Sequence, residues 1–484
     1  MSISSAMTAA LSGLGVASRN AEVISGNVSN ALTEGYARRE LQRATQVLDG
    51  QGNGVRVAGI LRHTDLQLLQ DRRTAEASRA ATARLAEFHA NAEKALGTPD
   101  QAGSLSARLA DLDAALISAA SRPDSGARLE DIARRAEAVA TKLNEASALV
   151  QQERMRADAA IGEAVATINT TLEQLAEVNG QIARLSAARR DTSALADEQQ
   201  RLVDRIATLV PVRIVPQDHG RIALYSLDGA PLLEGRPARL EFTPVGVITP
   251  EMTLAGGALS GLALNGRPVA TSGGSARLGG GELAALFALR DTEAPALQAR
   301  LDAVARDLVE RLSDPASDPT LAAGAPGLFT DAGAAFSGGD ETGLAARIFL
   351  NPLVDPAAGE LWRLRDGLAA AAPGPPGDAR ILQARREALL APRVPASGDF
   401  GGVARTSEGL ISDLVSGVAA ERQASERDES FAAARSETLR QMELEGGVDT
   451  DMELQILMQV EQAFAANARV LTTLDELLQA ITRI

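Results

Sequence analysis

Leu457, Val460, Phe464, Asn467, Leu471, Leu474, Leu478 and Ile481 fall at strictly alternating steps of three and four residues. That spacing lines them along one stripe of a helix and calls for a helical partner, not a sheet or a ligand pocket. One polar residue, Asn467, interrupts the seam; a buried asparagine in such a position fixes register at some cost in stability. A second heptad runs through Ile3, Met7, Ala10, Leu14, Ala17, Ala21, Ile24 and Val28. It is weak at its alanines, so a lone helix there is marginal in water. Taken alone it also fits an ordinary amphipathic helix on a globular core. With heptads at both ends, the expectation is that the terminal helices pair as a coiled coil and the middle of the chain loops outward.

The middle divides by texture. Residues 41–62 look extended around the turn "GQGNG". Residues 76–210 read as helix, and Arg128 to Leu185 contains no proline. There Ile161, Val165, Ile168, Leu172, Leu175, Val178, Ile182 and Leu185 form another three-four stripe, implying a rod on the order of 80 Å at ~1.5 Å per residue. From Pro211 to about residue 280, short alternating runs between Gly, Asp-Gly and Pro read as β-hairpins. Helix resumes over 282–312, loops dominate 313–402, and helix returns from about 403 with a break near 444–451. The fold class expected is mainly α with an inserted β domain. Residues 1–30 with 452–484 form the inner coiled-coil domain. Residues 31–210 with 281–312 and 403–451 form an elongated helical bundle. Residues 211–280 form a β-rich outer domain, and 313–402 a loop-rich segment.

Composition narrows the function. The chain has 484 residues, a net charge of −15 and 2% aromatics. The acidic balance argues against nucleic-acid binding, and a core with so few rings favours interlocking helices over deep ligand pockets. There is no cysteine, which excludes disulfides, thiolate metal sites and cysteine nucleophiles. The first twenty residues lack the basic and apolar segments of a Sec signal peptide, and no stretch reads as a membrane span. His63, His89 and His219 stand in no metal-ligand spacing. The Gly-rich runs "GGALSG" and "GGSARLGGG" do not continue to GK[ST], so they read as turns, not phosphate cradles. Carboxylates lie beside arginines on helix faces, as in "LEDIARRAEAVA", the pattern of solvated i, i+4 pairs. No catalytic constellation and no cofactor site is expected.

One stretch remains. "SGNVSNALTEGYARRE", residues 25–40, ends the first helix in small and polar residues. It resembles the motif shared by axial proteins of the bacterial flagellum. Asn27, Asn30, Thr33, Gly35, Tyr36 and Arg38 match, while Ser25 and Gly26 depart from the usual lead-in. "IGEAVATINTTLEQLAEVNGQIARL" and the segment that follows it, with "GVDTDMELQILMQVEQAFAANARVLTTLDELLQAI", resemble the hook-associated (FlgK) family at the hook–filament junction. "ADEQQRLVD" is a degraded form of that family's second helical motif, and Phe464 stands where a tyrosine is usual. The resemblance is strong at both ends and over 125–235, clear near 281–312 and weak over 313–400.

The resemblance implies a secreted, extracellular structural subunit of the flagellum. It would self-associate in a ring between the hook subunit and an adjoining hook-associated protein on the filament side. It would travel unfolded through the type III export channel, with a cytoplasmic chaperone holding its C-terminal region. The assembly interface expected comprises Ile3, Met7, Leu14, Ile24, Val28, Leu457, Val460, Phe464, Asn467, Leu471, Leu474, Leu478 and Ile481. Tyr36 would pack at the joint after the first helix, and Arg38 and Arg39 would meet neighbouring subunits or acidic faces. The hook subunit is the nearest rival, but it should be mainly β where this chain has a long helical block. A cytosolic coiled-coil scaffold accounts for the heptads and not for residues 25–40. A secreted hydrolase lacks a nucleophile or a carboxylate pair.

Overall fold

The structure, a computed structural model, describes residues 3–33, 35–48, 51–273, 276–357 and 360–482. Residue 50 of the expected turn and residues 274 and 275 of the glycine-rich run lie outside them. Helix α1 (Ile3–Ser29) leads into a hairpin, β1 (Arg39–Leu48) and β2 (Gln51–Arg62). Four helices follow: α2 (Leu66–Leu96), α3 (Leu105–Ser121), α4 (Gly126–Ala187) and α5 (Ser193–Leu209). The strands come next: β3 (Val212–Pro216), β4 (Ile222–Ser226), β5 (Pro231–Glu234), β6 (Arg236–Pro237), β7 (Leu240–Glu241), β8 (Leu262–Leu264) and β9 (Arg267–Val269). Helix α6 (Gly281–Ala288) runs through a π-helical turn, Leu289–Glu293, into α7 (Ala294–Ser313). Short elements occupy the next hundred residues: β10 (Phe329–Asp331), α8 (Leu344–Arg347), β11 (Ile348–Leu350), α9 (Arg363–Asp366) and α10 (Arg380–Leu390). Two long helices, α11 (Ser407–Glu445) and α12 (Thr450–Thr482), complete the chain.

The proline-free run becomes α4, 62 residues and ~93 Å long at ~1.5 Å per residue. Its stripe is fully or almost fully buried from Ile161 to Ile182, and Leu185 is half-buried. Side-chain oxygens start the neighbouring helices. Asp65 accepts from the amides of Gln67 and Leu68, Ser104 from Ala107, and Thr406 from Gly409, each satisfying an amide that the first helical turn leaves free. Helices α2 and α11 lie antiparallel, tied by Arg72 to Glu443 (2.6 Å) and Glu93 to Arg422 (2.7 Å).

The strands form two antiparallel sheets, β3-β4-β5-β6 and β7-β8-β9. Their buried residues Leu224, Leu233, Leu240 and Leu264 pack in one continuous apolar core with α4 and α7. Two asparagines of α4 complete that junction. Asn179 donates to the carbonyl of Ile222 (2.8 Å) and accepts its amide (3.2 Å). Asn169 does the same with Leu240, at 2.8 Å each way. A side-chain amide offers one donor and one acceptor just as a neighbouring strand does, so Asn169 closes the open edge of β7, and Asn179 pairs Ile222 of β4 where β5 does not reach.

The β1–β2 hairpin packs on α1, with Leu41, Val55 and Ile60 against Val16 and Val23. Its apolar face is covered by α1, and Arg39 and Arg62 tie it to Asp197 of α5. A period-two pattern shows that a strand covers something, not which helix it covers. Residues 313–402 are organised around a fully buried ion pair. Arg385 Nη2 lies 2.9 Å from Asp318 Oδ2, which also accepts the amide of Leu368 at 2.9 Å.

Asp302 on α7 is buried and accepts the amides of Gly343 and Ala345 and the amide of Gln298, each at 2.8 Å. Burial, helped by the nearby Glu341, pushes its carboxyl up from 3.8 to about 6. The folded chain therefore binds this proton more tightly than the unfolded chain. Its contribution favours the fold below about 4 and is lost as pH rises through about 6. Compared with Asp302→Asn, the wild type should lose roughly 2–3 kcal/mol of stability between pH 4 and pH 7. Urea denaturation of both proteins across that range measures the difference; a constant gap would mean that the carboxyl titrates normally.

Candidate assembly joint

Residues 25–40 close around Asn27, which is fully buried. Its Oδ1 accepts the amide of Arg39 at 3.0 Å and the hydroxyl of Tyr36 at 2.9 Å, and its Nδ2 donates to the carbonyl of Arg39 at 2.8 Å. One side chain thus ties the end of α1 to the start of β1. Asn30 donates to the carbonyl of Gly26 at 2.9 Å, and Thr33 donates to Asn30 at 3.3 Å, finishing the helix end. Gly35 sits at φ +75°, where a Cβ would also lie 2.7 Å from Cγ of Arg201. Position and space both require glycine there.

The two arginines reach acids of the same chain. Arg38 Nε lies 2.7 Å from Glu453, a residue 1% exposed at the start of α12. Arg39 Nη2 lies 2.5 Å from Asp197 of α5, which Arg62 also grips at 2.7 Å. The Arg39 guanidinium stands 4.8 Å over the Tyr36 ring. Of the two kinds of partner expected for Arg38 and Arg39, acids are what they meet, and those acids belong to the same chain. Together they join α1, the hairpin, α5 and α12 at one point. Burial, with the charges of Asp197 and Glu453, raises the Tyr36 hydroxyl above its ordinary value, so it stays a donor. Asn27→Ala would leave three polar groups without their partner and should cost about 2–4 kcal/mol, against ~1 for Tyr36→Phe. Chemical denaturation compares the two; equal, small losses would remove Asn27 from the centre of the joint.

Beyond the joint, α1 and α12 run antiparallel. Ala17 and Ile24 pack on Val460, with Ala21, Ile456 and Leu457 beside them. Asn467 sits over Gly13, where a Cβ would lie 2.8 Å from its Oδ1. Its amide donates back to Ala463 of its own helix at 2.9 Å. Register here is therefore set by a side chain filling the space over a glycine, not by a polar pair across the seam. Of the interface residues expected, Ile24, Val460 and Leu474 are buried in the seam. Ile3, Met7, Leu14, Val28, Leu457, Asn467, Leu471 and Leu478 are half-buried, and Phe464 and Ile481 are exposed. The heptad did not include four apolar residues of α12 that are all exposed: Leu454 and Met458 on one flank of the stripe, Val470 and Leu477 on the other. The pairs Leu454–Met458, four apart, and Val470–Leu477, seven apart, were the available signal.

The histidines lie elsewhere. His63 pairs with Glu40 at 2.8 Å, and His89 is buried edge-on to Phe88, where burial lowers its basicity. Among the described residues no group of three or more acids or histidines could hold a metal, and no helix is long and apolar enough to cross a membrane.

The model of the flagellar hook-associated protein FlgK helical domain matches residues 90–327, and that of the flagellar basal body rod FlgEFG protein C-terminal matches residues 445–484. Over these two segments the chain is similar to flagellar hook-associated and rod proteins. It is 28% identical over 244 residues to flagellar hook-associated protein 1 of Salmonella typhimurium, a match covering 49% of this chain and 44% of that protein. The Escherichia coli K12 protein of the same name is 26% identical over the same shares, and that of Bacillus subtilis is 24% identical over 220 residues, 43% of each chain. The chain spans less than half the length of the curated relatives it matches. The structure titled as the flagellar hook junction protein FlgK from Burkholderia pseudomallei aligns at 20% identity and a TM-score of 0.43, over 54% of this chain and 46% of that one. The C-terminal FlgEFG match begins at the last residue of α11 and takes in α12, so the family's C-terminal signature includes the helix that α1 packs on.

Proposed function

We propose that the chain is a structural, non-catalytic subunit of the extracellular flagellum, forming the junction between hook and filament. The observation that carries this reading is the apolar surface α12 leaves open: one stripe packs on α1, while Leu454 and Met458 on one flank of it and Val470 and Leu477 on the other are exposed. A helix built this way is made for a packed tube in which copies supply one another's missing contacts.

In this reading residues 1–30 and 452–484 form the inner coiled-coil domain. Residues 31–210 with 281–312 and 403–451 form the elongated bundle, 211–280 the β-rich outer part, and 313–402 a separate segment on its side. The seam residues, from Ile3 to Val28 and from Leu457 to Ile481, hold the ring together. The hook subunit adjoins on one side and another hook-associated protein on the other. The thin terminal seam leaves both ends able to stay unfolded during type III export, with a chaperone covering the C-terminal region.

Negative-stain electron microscopy of cells lacking the gene, with free filament protein assayed in the medium, tests the reading. Hooks without filaments and spilled filament monomers are expected. Missing hooks would move the protein to the hook or rod. Intact, motile flagella would favour a coiled-coil scaffold.

A further inference from the structure

A groove of about 530 Å³ runs between α2 and α5. Its floor is Ala80 and Ala83, and its rim carries Arg79, Arg201 and Arg205, all exposed. Arg201 pairs with Glu198. Arg79 and Arg205 have no acidic partner among the described residues. In a chain of net charge −15, cations left without partners around a small apolar floor form a receptor for an acidic segment.

The chain exposes such a segment. The connection between α11 and α12 carries Glu445, Asp449 and Asp451, all exposed, together with Leu444 and Met452, which are 63% and 50% exposed. Gly446 and Gly447 break the helix there, and Asp449 fixes the turn by accepting the amides of Asp451 and Met452 at 3.0 Å. Its acids and two apolar residues complement a floor of Ala80 and Ala83 beside Arg79 and Arg205, since the groove's own acids, Glu76 and Asp204, are already paired with Arg72.

The two features lie at one level of the molecule. Arg72 and Asp204 line both the groove and the small pocket under the connection, where Leu444, Gly447 and Val448 are. Those two residues are bonded to each other at 2.8 Å, and Arg72 also reaches Glu443 at 2.6 Å. The connection lies against that shared wall and contributes nothing to the groove of its own chain. We propose that the groove receives the α11–α12 connection of a second copy. The contact sets the groove of one copy against the connection of the next. It rests on the reading of the chain as a ring subunit.

Two charge reversals test it in cells whose gene is replaced: Arg201→Glu with Arg205→Glu in the groove, and Glu445→Arg with Asp451→Arg in the connection. Each alone should cut the filament-bearing fraction about tenfold or more, since opposed like charges cost a decade for each ~1.4 kcal/mol. All four changes in one chain should restore it. If both single reversals keep filaments while deletion of the gene strips them, the groove contact is wrong and the junction reading stands. If deletion leaves filaments intact, the junction reading fails, and a second measurement decides the groove. The chain has no cysteine, so purified full-length R205C and D451C can be mixed and oxidised. A mixed dimer in large excess over either like dimer supports the contact; statistical yields overturn it.

Discussion

Leu474→Asp is expected to abolish filament attachment while leaving the long bundle and its sheets folded. Leu474 is 9% exposed on α12, and the antiparallel register that sets Ile24 beside Val460 and Gly13 under Asn467 carries it towards the first turns of α1. Losing a leucine there forfeits about 2 kcal/mol of burial, and an ionised carboxylate in its place adds desolvation of about the same size or more. The seam has little to absorb that. Its buried cluster is Ala17, Ile24 and Val460, and two of its flanking positions, Phe464 and Ile481, are already exposed. The main core from Phe88 to Val418 includes no residue of α1 or α12, so its unfolding transition should be unchanged. Hydrogen exchange reads both regions together: faster exchange over 3–29 and 455–482, unchanged protection in α4. Leu471→Asp, half-buried in the same seam, should act in the same direction. Filaments built on either variant would mean that the ends need not pair for assembly.

The sequence carried this seam because apolar spacing is a local signal, and α1, α4 and α12 could be drawn from it with little change. What it did not carry is what each element meets. Arg38 and Arg39 read as meeting neighbouring subunits or acidic faces, but which acids was not legible: Glu453 and Asp197 come from helices 415 and 158 residues away. Asn169 and Asn179 lie in the very stretch that resembles the FlgK family, but a polar residue on a helix reads as solvated. Only the structure shows them pairing strand groups that the sheets leave open. The strands of 212–269 were legible from alternation and turns. That their leucines enter the core of α4, with no wall between them, was not, because alternation marks a covered face and never names the cover. Residues 313–402 were least legible, since Asp318 and Arg385, the pair that orders them, are 67 residues apart with no periodic pattern between.

A second long-range pair leads to the largest expected loss of stability. Arg290 and Asp158 are both fully buried and 2.6 Å apart. Arg290 sits in the π-helical turn between α6 and α7, a widened turn of the kind that re-aims a side chain. Its guanidinium also bonds Asp291 at 2.8 Å and the carbonyl of Ser260 at 2.9 Å, and it stacks over the rings of Phe287 and Phe242 at 5.0 and 5.5 Å. Asp158 in turn accepts the amide of Val245 at 2.5 Å, and Arg154 holds the carbonyls of Thr249 and Met252 at 3.1 and 2.6 Å. The cluster is therefore what fastens the loop between β7 and β8 to α4. Arg290→Met keeps the side chain's bulk but strands Asp158 as a buried charge, so the loss should be about 3–5 kcal/mol. Adding Asp158→Leu should recover part of it, because the penalty lies mostly in the orphaned carboxylate and not in the missing attraction. Urea denaturation of the two variants measures both numbers, and hydrogen exchange should localise the damage to residues 243–260 with the α1–α12 seam unaffected, the reverse of Leu474→Asp. A loss under ~1 kcal/mol would mean that the pair contributes little and that the loop is held by its apolar contacts alone.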